Sequence, residues 1–127
     1  MHENKAFTVT YELNENNTIL VRTIFGQITM SEIIELWEED IFNKRVTTEL
    51  KAVITDFSKG KNLSKMEERK NITAFYRKNI DFFKNIKIAV VLNDRSIAIP
   101  LLYEQEHQDI QHLAFSTIEA AMKWSKE

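Results

Sequence analysis

Apolar positions along this chain recur with two periods, two and about 3.6, and the switches between them fall at polar signals. Residues 7–13, Phe-Thr-Val-Thr-Tyr-Glu-Leu, alternate at period two, as a strand with one buried face does. Asn14-Glu-Asn-Asn17 is a turn, and residues 18–25 are a second apolar strand closing on Gly26. The two predict an antiparallel hairpin with a loop of about four residues. Met30, Ile33, Ile34, Trp37 and Ile41 then follow at spacings of three and four, which predicts one apolar face of a helix over residues 30–42. Glu32, Glu35, Glu38, Glu39 and Asp40 occupy its other face. Residues 51–57 predict a buried strand. Residues 64–84 predict a long helix with Ile72, Phe75, Tyr76, Ile80 and Phe83 as its core stripe. Residues 87–92 are apolar enough for a strand covered on both faces. A third helix over 97–108, a strand over 110–115 and a helix over 117–125 complete the pattern. Pro100 fits that third helix because the first four N–H groups of a helix have no intrahelical partner.

Three of the switches carry a Ser or Thr with Glu three residues later: Thr29 with Glu32, Ser64 with Glu67, and Ser116 with Glu119. Each has the form of a capping box, in which the hydroxyl accepts from an orphan N–H and the Glu reaches back to the cap. Repeated strand-to-helix junctions predict an α/β fold: a five-stranded mixed, mainly parallel sheet with four helices in the order β-β-α-β-α-β-α-β-α. Ligands of such sheets bind beyond the carboxyl ends of the strands.

Composition narrows the function classes. A length of 127 residues suits one domain. A net charge of -2 argues against general nucleic-acid binding, which needs a concentrated basic face. There is no Cys, hence no disulfide or thiolate site. Residues 1–6 lack the apolar core of a signal peptide, and no apolar run approaches the roughly 20 residues of a membrane span. A soluble, cytoplasmic protein is expected. Two glycines cannot build a Gly-rich phosphate loop, and no nucleophile elbow or His-Glu-x-x-His is present, so neither catalysis nor a cofactor is expected.

Candidate sites group at the loops after the inner strands. Asp56, Ser58, Lys59 and Ser64 read either as an anion cradle before a helix N-terminus or as a cap and a loop acceptor of backbone N–H bonds. Asn93, Asp94, Arg95 and Ser96 hold the equivalent place after the next strand, and Asp94 and Ser96 could line the same crevice. The run Ile97-Ala-Ile-Pro-Leu-Leu-Tyr103 is apolar around its whole circumference, more than one buried face requires. Ile97, Ile99, Leu101, Leu102 and Tyr103 therefore read as a homodimer contact, as one wall of a pocket for a small apolar ligand, or as a helix covered on two sides. Glu104 and His107 share a helix face and His112 follows, but no matching second set of ligands is visible, so no metal is expected.

The element order and four stretches resemble the SpoIIAA-like (STAS-like) family, which includes bacterial proteins also grouped with CRAL-TRIO lipid-transfer domains. The stretches are residues 25–29 (Phe-Gly-Gln-Ile-Thr), 53–58 (Val-Ile-Thr-Asp-Phe-Ser), 87–92 (Lys-Ile-Ala-Val-Val-Leu) and 114–124 (Ala-Phe-Ser-Thr-Ile-Glu-Ala-Ala-Met-Lys-Trp). The resemblance implies a βα layered fold with the first strand added antiparallel, and action by binding a partner protein. In anti-sigma-factor antagonists of that family a Ser in an Asp-Ser-Ser-Gly turn is phosphorylated. Here the matching stretch, residues 59–65, has Ser64 near that place without the turn's residues. The lipid-transfer side implies a carrier or sensor of a small apolar molecule.

Overall fold

The switches of hydrophobic period at the first hairpin and around the helix over 30–42 become element boundaries in the computed structural model, which describes residues 6–93 and 110–127. β1 (Phe7–Leu13) and β2 (Ile19–Ile28) pair antiparallel, from Phe7 opposite Gly26 to Leu13 opposite Leu20. Asn14 closes the hairpin, its Oδ1 accepting the N–H groups of Thr18 at 2.8 Å and Ile19 at 2.9 Å. Then come α1 (Met30–Phe42), β3 (Ala52–Asp56), β4 (Gly60–Asn62), a 3-10 turn (Met66–Glu68), α2 (Arg69–Lys78), α3 (Ile80–Phe83), β5 (Lys87–Val91), β6 (Gln111–Phe115) and α4 (Ile118–Lys126). The sheet order is β1-β2-β3-β5-β6, with β4 also on β2, and every pairing except β1 with β2 is parallel. This is the mixed, mainly parallel α/β sheet that the pattern predicts. The third helix expected over 97–108 lies outside the described residues.

β4 is a strand that the sequence pattern does not show. Gly60-Lys-Asn62 is too short and polar to display a period. It forms because β2 is ten residues long: its first half pairs with β3 and its last three residues pair with β4. Both glycines of the chain serve this junction. A Cβ on Gly60 would stand 2.7 Å from the Gly26 carbonyl oxygen and 2.9 Å from that of Ile24. Gly26 itself has φ +92°, and a Cβ there would collide with the Ala6 carbonyl.

Among the described residues, helices pack on both faces of the sheet. On one face α1, α2 and α3 pack over Leu20, Ile24, Val53, Ile88 and Val90. Trp37, Tyr76 and Phe83 meet there edge to face, with centroids 5.2 Å apart for Trp37–Phe83 and 4.9 Å for Tyr76–Phe83. On the other face, among the described residues, α4 packs, seating Ala121 on Ile19, Ala52, Ile54, Ala89 and Val91. Small residues at Ala52, Ala89 and Ala121 leave room for the helix to approach.

Three expectations are corrected. The helix expected over 64–84 is broken: Asn79 leaves helical geometry at φ -115° and ψ 31°, and its side chain donates to the Phe75 carbonyl at 2.9 Å. Of the capping boxes, Thr29 with Glu32 forms as read. In the middle one the register moves by one, the Lys65 N–H donating to Glu68 Oε1 at 2.8 Å, and Ser64 caps nothing. In the last, Thr117 rather than Ser116 accepts from the Ala120 N–H, at 3.1 Å. Asp40, expected on the solvent face of α1, is fully buried.

The two boxes make opposite predictions. Thr29→Ala should lower stability by about 1 kcal/mol in urea denaturation, the usual cost of a lost cap. Ser64→Ala removes a buried hydroxyl that has no partner among the described residues and should be neutral or slightly stabilising. Equal losses in the two variants would contradict the observed capping.

Candidate functional site

The turns after β3 and β4, with Asn93 just past β5, form a rim at the edge of the sheet where such folds bind ligands. Asp56 ends β3 nearly buried, and its Oδ1 accepts the Ser58 N–H at 2.8 Å. The Asn93 amide donates to the Ser58 carbonyl at 3.0 Å, so the ends of β3 and β5 are joined through Ser58. Phe57 turns inward, its N–H donating to Val91. Lys59 is exposed. After β4, the Ser64 N–H donates to Asn62 Oδ1 at 2.9 Å, while the Ser64 hydroxyl and the Asn62 Nδ2 are buried and have no partner among the described residues. Asp56 and Asn62 are level with Thr23 and Ile28 of β2, so the rim runs along the sheet edge, with Ser58 and Ser64 in separate turns. Asp94, Ser96, Ile97, Ile99, Leu101, Leu102 and Tyr103 lie outside the described residues, as do Glu104 and His107.

Around Ser64 the surface is apolar and charged, with three lysines against exposed Glu67 and part-exposed Glu68. Leu63 and Met66 are 40% and 47% exposed. Lys59, Lys61 and Lys65 surround them in sequence, all exposed. A groove of about 520 Å³ lies at the other end of the strands, lined by Asn14, Thr18, Lys51, Met122 and Lys126 among others.

Beneath the rim is a polar network that sequence reasoning missed. Arg22 and Asp40 are 1% and 0% exposed and bridge at 3.0 Å. Arg22 Nε and Nη2 both donate to Thr55 Oγ1, at 3.1 and 2.7 Å, and the guanidinium lies 3.9 Å over the Trp37 ring. The other Asp40 oxygen accepts from the Tyr11 hydroxyl at 2.6 Å and from Arg45 Nη1 at 3.3 Å. Burial lowers the pKa of Arg22, opposed by Asp40, and burial together with the bond to Asp40 raises that of Tyr11, which stays a neutral donor. The available signal was parity: Arg22 shares a strand face with Leu20 and Ile24, so it had to point into the core.

His112 of β6 is also buried. It sits level with Ile88, its ring centroid 5.8 Å from that of Tyr76, and neither ring nitrogen has a partner among the described residues. Burial pushes its pKa down to about 4.

No family model matches the sequence, and no curated protein matches it. The fold is nevertheless shared with solved structures. One is an anti-sigma factor antagonist from Mycobacterium paratuberculosis, at 17% identity over 95% of each chain with a TM-score of 0.62. A second is an uncharacterised DUF3478-family protein with a SpoIIAA-like fold from Shewanella loihica PV-4, at 12% identity over 98% of each chain with a TM-score of 0.60. A third is the anti-sigma factor antagonist SpoIIAA in its unphosphorylated form, at 11% identity over 94% of this chain and 98% of that one, with a TM-score of 0.50. The chain therefore has the SpoIIAA-like (STAS-like) fold.

His112 yields a pH prediction. The unfolded chain takes up a proton at its ordinary pKa of about 6.5, whereas the folded chain resists protonation until about pH 4. Its contribution is present above pH 6.5 and is lost as pH falls toward 4, by roughly 3 kcal/mol in all. Urea denaturation across that range should show wild-type stability falling more steeply than that of His112→Leu. Parallel curves would contradict a buried neutral imidazole.

Proposed function

We propose that this chain is a non-enzymatic regulatory module of the STAS-like type, which acts in the cytoplasm by protein contact as a homodimer. The carrying observation is the exposed Leu63–Met66 pair on the rim, beside Lys59, Lys61 and Lys65. Exposed apolar side chains ringed by charge are the composition of a docking surface, and the cations select an acidic partner. The fold supports the reading, because two of the similar structures are anti-sigma factor antagonists. Asp56 and Ser58 fix the shape of the rim. Ser64, with its hydroxyl turned inward, positions the two apolar residues rather than meeting the partner. The homodimer contact is assigned to the apolar run 97–103.

Native mass spectrometry of the protein purified from its own host tests this. The expected species are a homodimer and a stoichiometric complex with an acidic protein. The complex should be lost in Leu63→Asp/Met66→Asp while circular dichroism stays unchanged. A stoichiometric small apolar ligand with no bound protein would contradict the module and favour a carrier.

A further inference from the structure

Lys44 holds a backbone conformation that glycine fills at lower cost. α1 ends in a Schellman motif: the Lys44 N–H donates to the Ile41 carbonyl at 3.1 Å and the Arg45 N–H to that of Asp40 at 2.9 Å. Lys44 is the left-handed residue of the motif, at φ +63°, a place usually taken by glycine. The turn puts two adjacent cations on the lip of a notch of about 320 Å³, whose other walls are Tyr11, Glu12, Leu13 and Leu20.

The notch carries surplus positive charge over an apolar floor. Asp40 is already paired with Arg22 at 3.0 Å, so Arg45, at 3.3 Å and 41% exposed, is a second cation on one carboxylate. Its Nε and Nη2, and the Lys44 ammonium, have no partner among the described residues. Strand alternation sends the Glu12 side chain to the sheet face opposite Tyr11 and Leu13, and Glu12 makes no ion pair with either cation among the described residues. The Arg45 guanidinium is held 4.9 Å over the Tyr11 ring, and the Tyr11 hydroxyl is fixed by Asp40. Buried Leu20 and half-exposed Leu13 supply the apolar surface.

We propose that this notch binds a small organic carboxylate with a compact apolar body. The outward donors of Arg45 take the carboxylate and Lys44 adds the second charge. The body lies against Leu13, Leu20 and Tyr11. A guanidinium edge fits a planar carboxylate, and a compact polar dianion would leave the apolar floor unused. Lysine in place of glycine at position 44 then exchanges backbone stability for ligand charge. The notch shares no residue with the Leu63–Met66 surface.

Amide NMR titrations of the whole chain with sodium phenylacetate, sodium acetate and sodium phosphate test it. Phenylacetate should shift the resonances of residues 11–13 and 44–46 saturably, with an affinity at least about tenfold above that of acetate, because only its ring reaches the apolar floor. Lys44→Gly should raise the melting temperature by about 3 °C or more while weakening phenylacetate at least about threefold. Arg45→Gln should abolish binding. Absence of saturable shifts, equal affinity for the two acids, tighter binding of inorganic phosphate, or wild-type affinity in Lys44→Gly would each overturn the proposal.

Discussion

The buried ion pair between Arg22 and Asp40 is the constraint on which the rest of the structure depends. Two charges withdrawn from water cost several kcal/mol each unless geometry and further hydrogen bonds offset the loss. Here they do. Thr55 takes two guanidinium donors, Trp37 covers the cation's face, and Tyr11 and Arg45 satisfy the second carboxylate oxygen. The four residues that touch the pair come from β1, β2's neighbour β3, α1 and the loop after α1. Because a mispaired charge is so costly, these elements have one arrangement relative to each other. The pair thus fixes the register in which α1 lies on the sheet, which apolar contact alone specifies less sharply.

That register reaches both candidate surfaces. Thr55 directly precedes Asp56, so holding Thr55 decides where β3 stops and where the rim begins. On the other side, the Asp40 carbonyl accepts the N–H groups of Arg45 and Val46, which sets the turn that carries Lys44. The amino ends of the strands are locked differently. Lys87 reaches the backbone oxygens of Trp124 and Glu127 at 2.9 and 3.1 Å, and Lys51 reaches that of Lys126. These ammonium groups meet the negative end of α4, where the helix dipole favours them. One end of the sheet is therefore tied down by lysines, and among the described residues the turns at the other are held by Asp56, Asn62 and Asn93. The proposed partner contact lies at this second end.

What the sequence revealed follows from what repeats. Alternation gave β1 from Phe7 to Leu13, and the spacing from Met30 to Ile41 gave α1 with both ends correct. β4 escaped because three residues cannot show a period, and its existence depends on the length of β2. The break at Asn79 escaped because the apolar stripe from Ile72 to Phe83 continues through it. Asp40 was placed with its acidic neighbours because charge outweighed position; it stands four residues from Leu36 and three from Trp37, on the buried face. The pair was legible only jointly: an inward Arg on a strand requires an inward acid, and α1 offered one. The rim was legible as a place, through Asp56, Ser58 and the family resemblance. Its chemistry was not, because whether Ser64 caps, faces solvent or turns inward is decided by tertiary packing.

The measurement that bears most directly on this constraint is a double-mutant cycle on Arg22 and Asp40, read by equilibrium urea denaturation. Arg22→Met and Asp40→Leu should each lose about 3–5 kcal/mol, because each strands the other's charge in the core. The double variant should lose far less than the sum, giving a coupling of about 3 kcal/mol or more. Losses that add to within about 0.5 kcal/mol would show that the two charges do not depend on each other, and would contradict the pair's organising role.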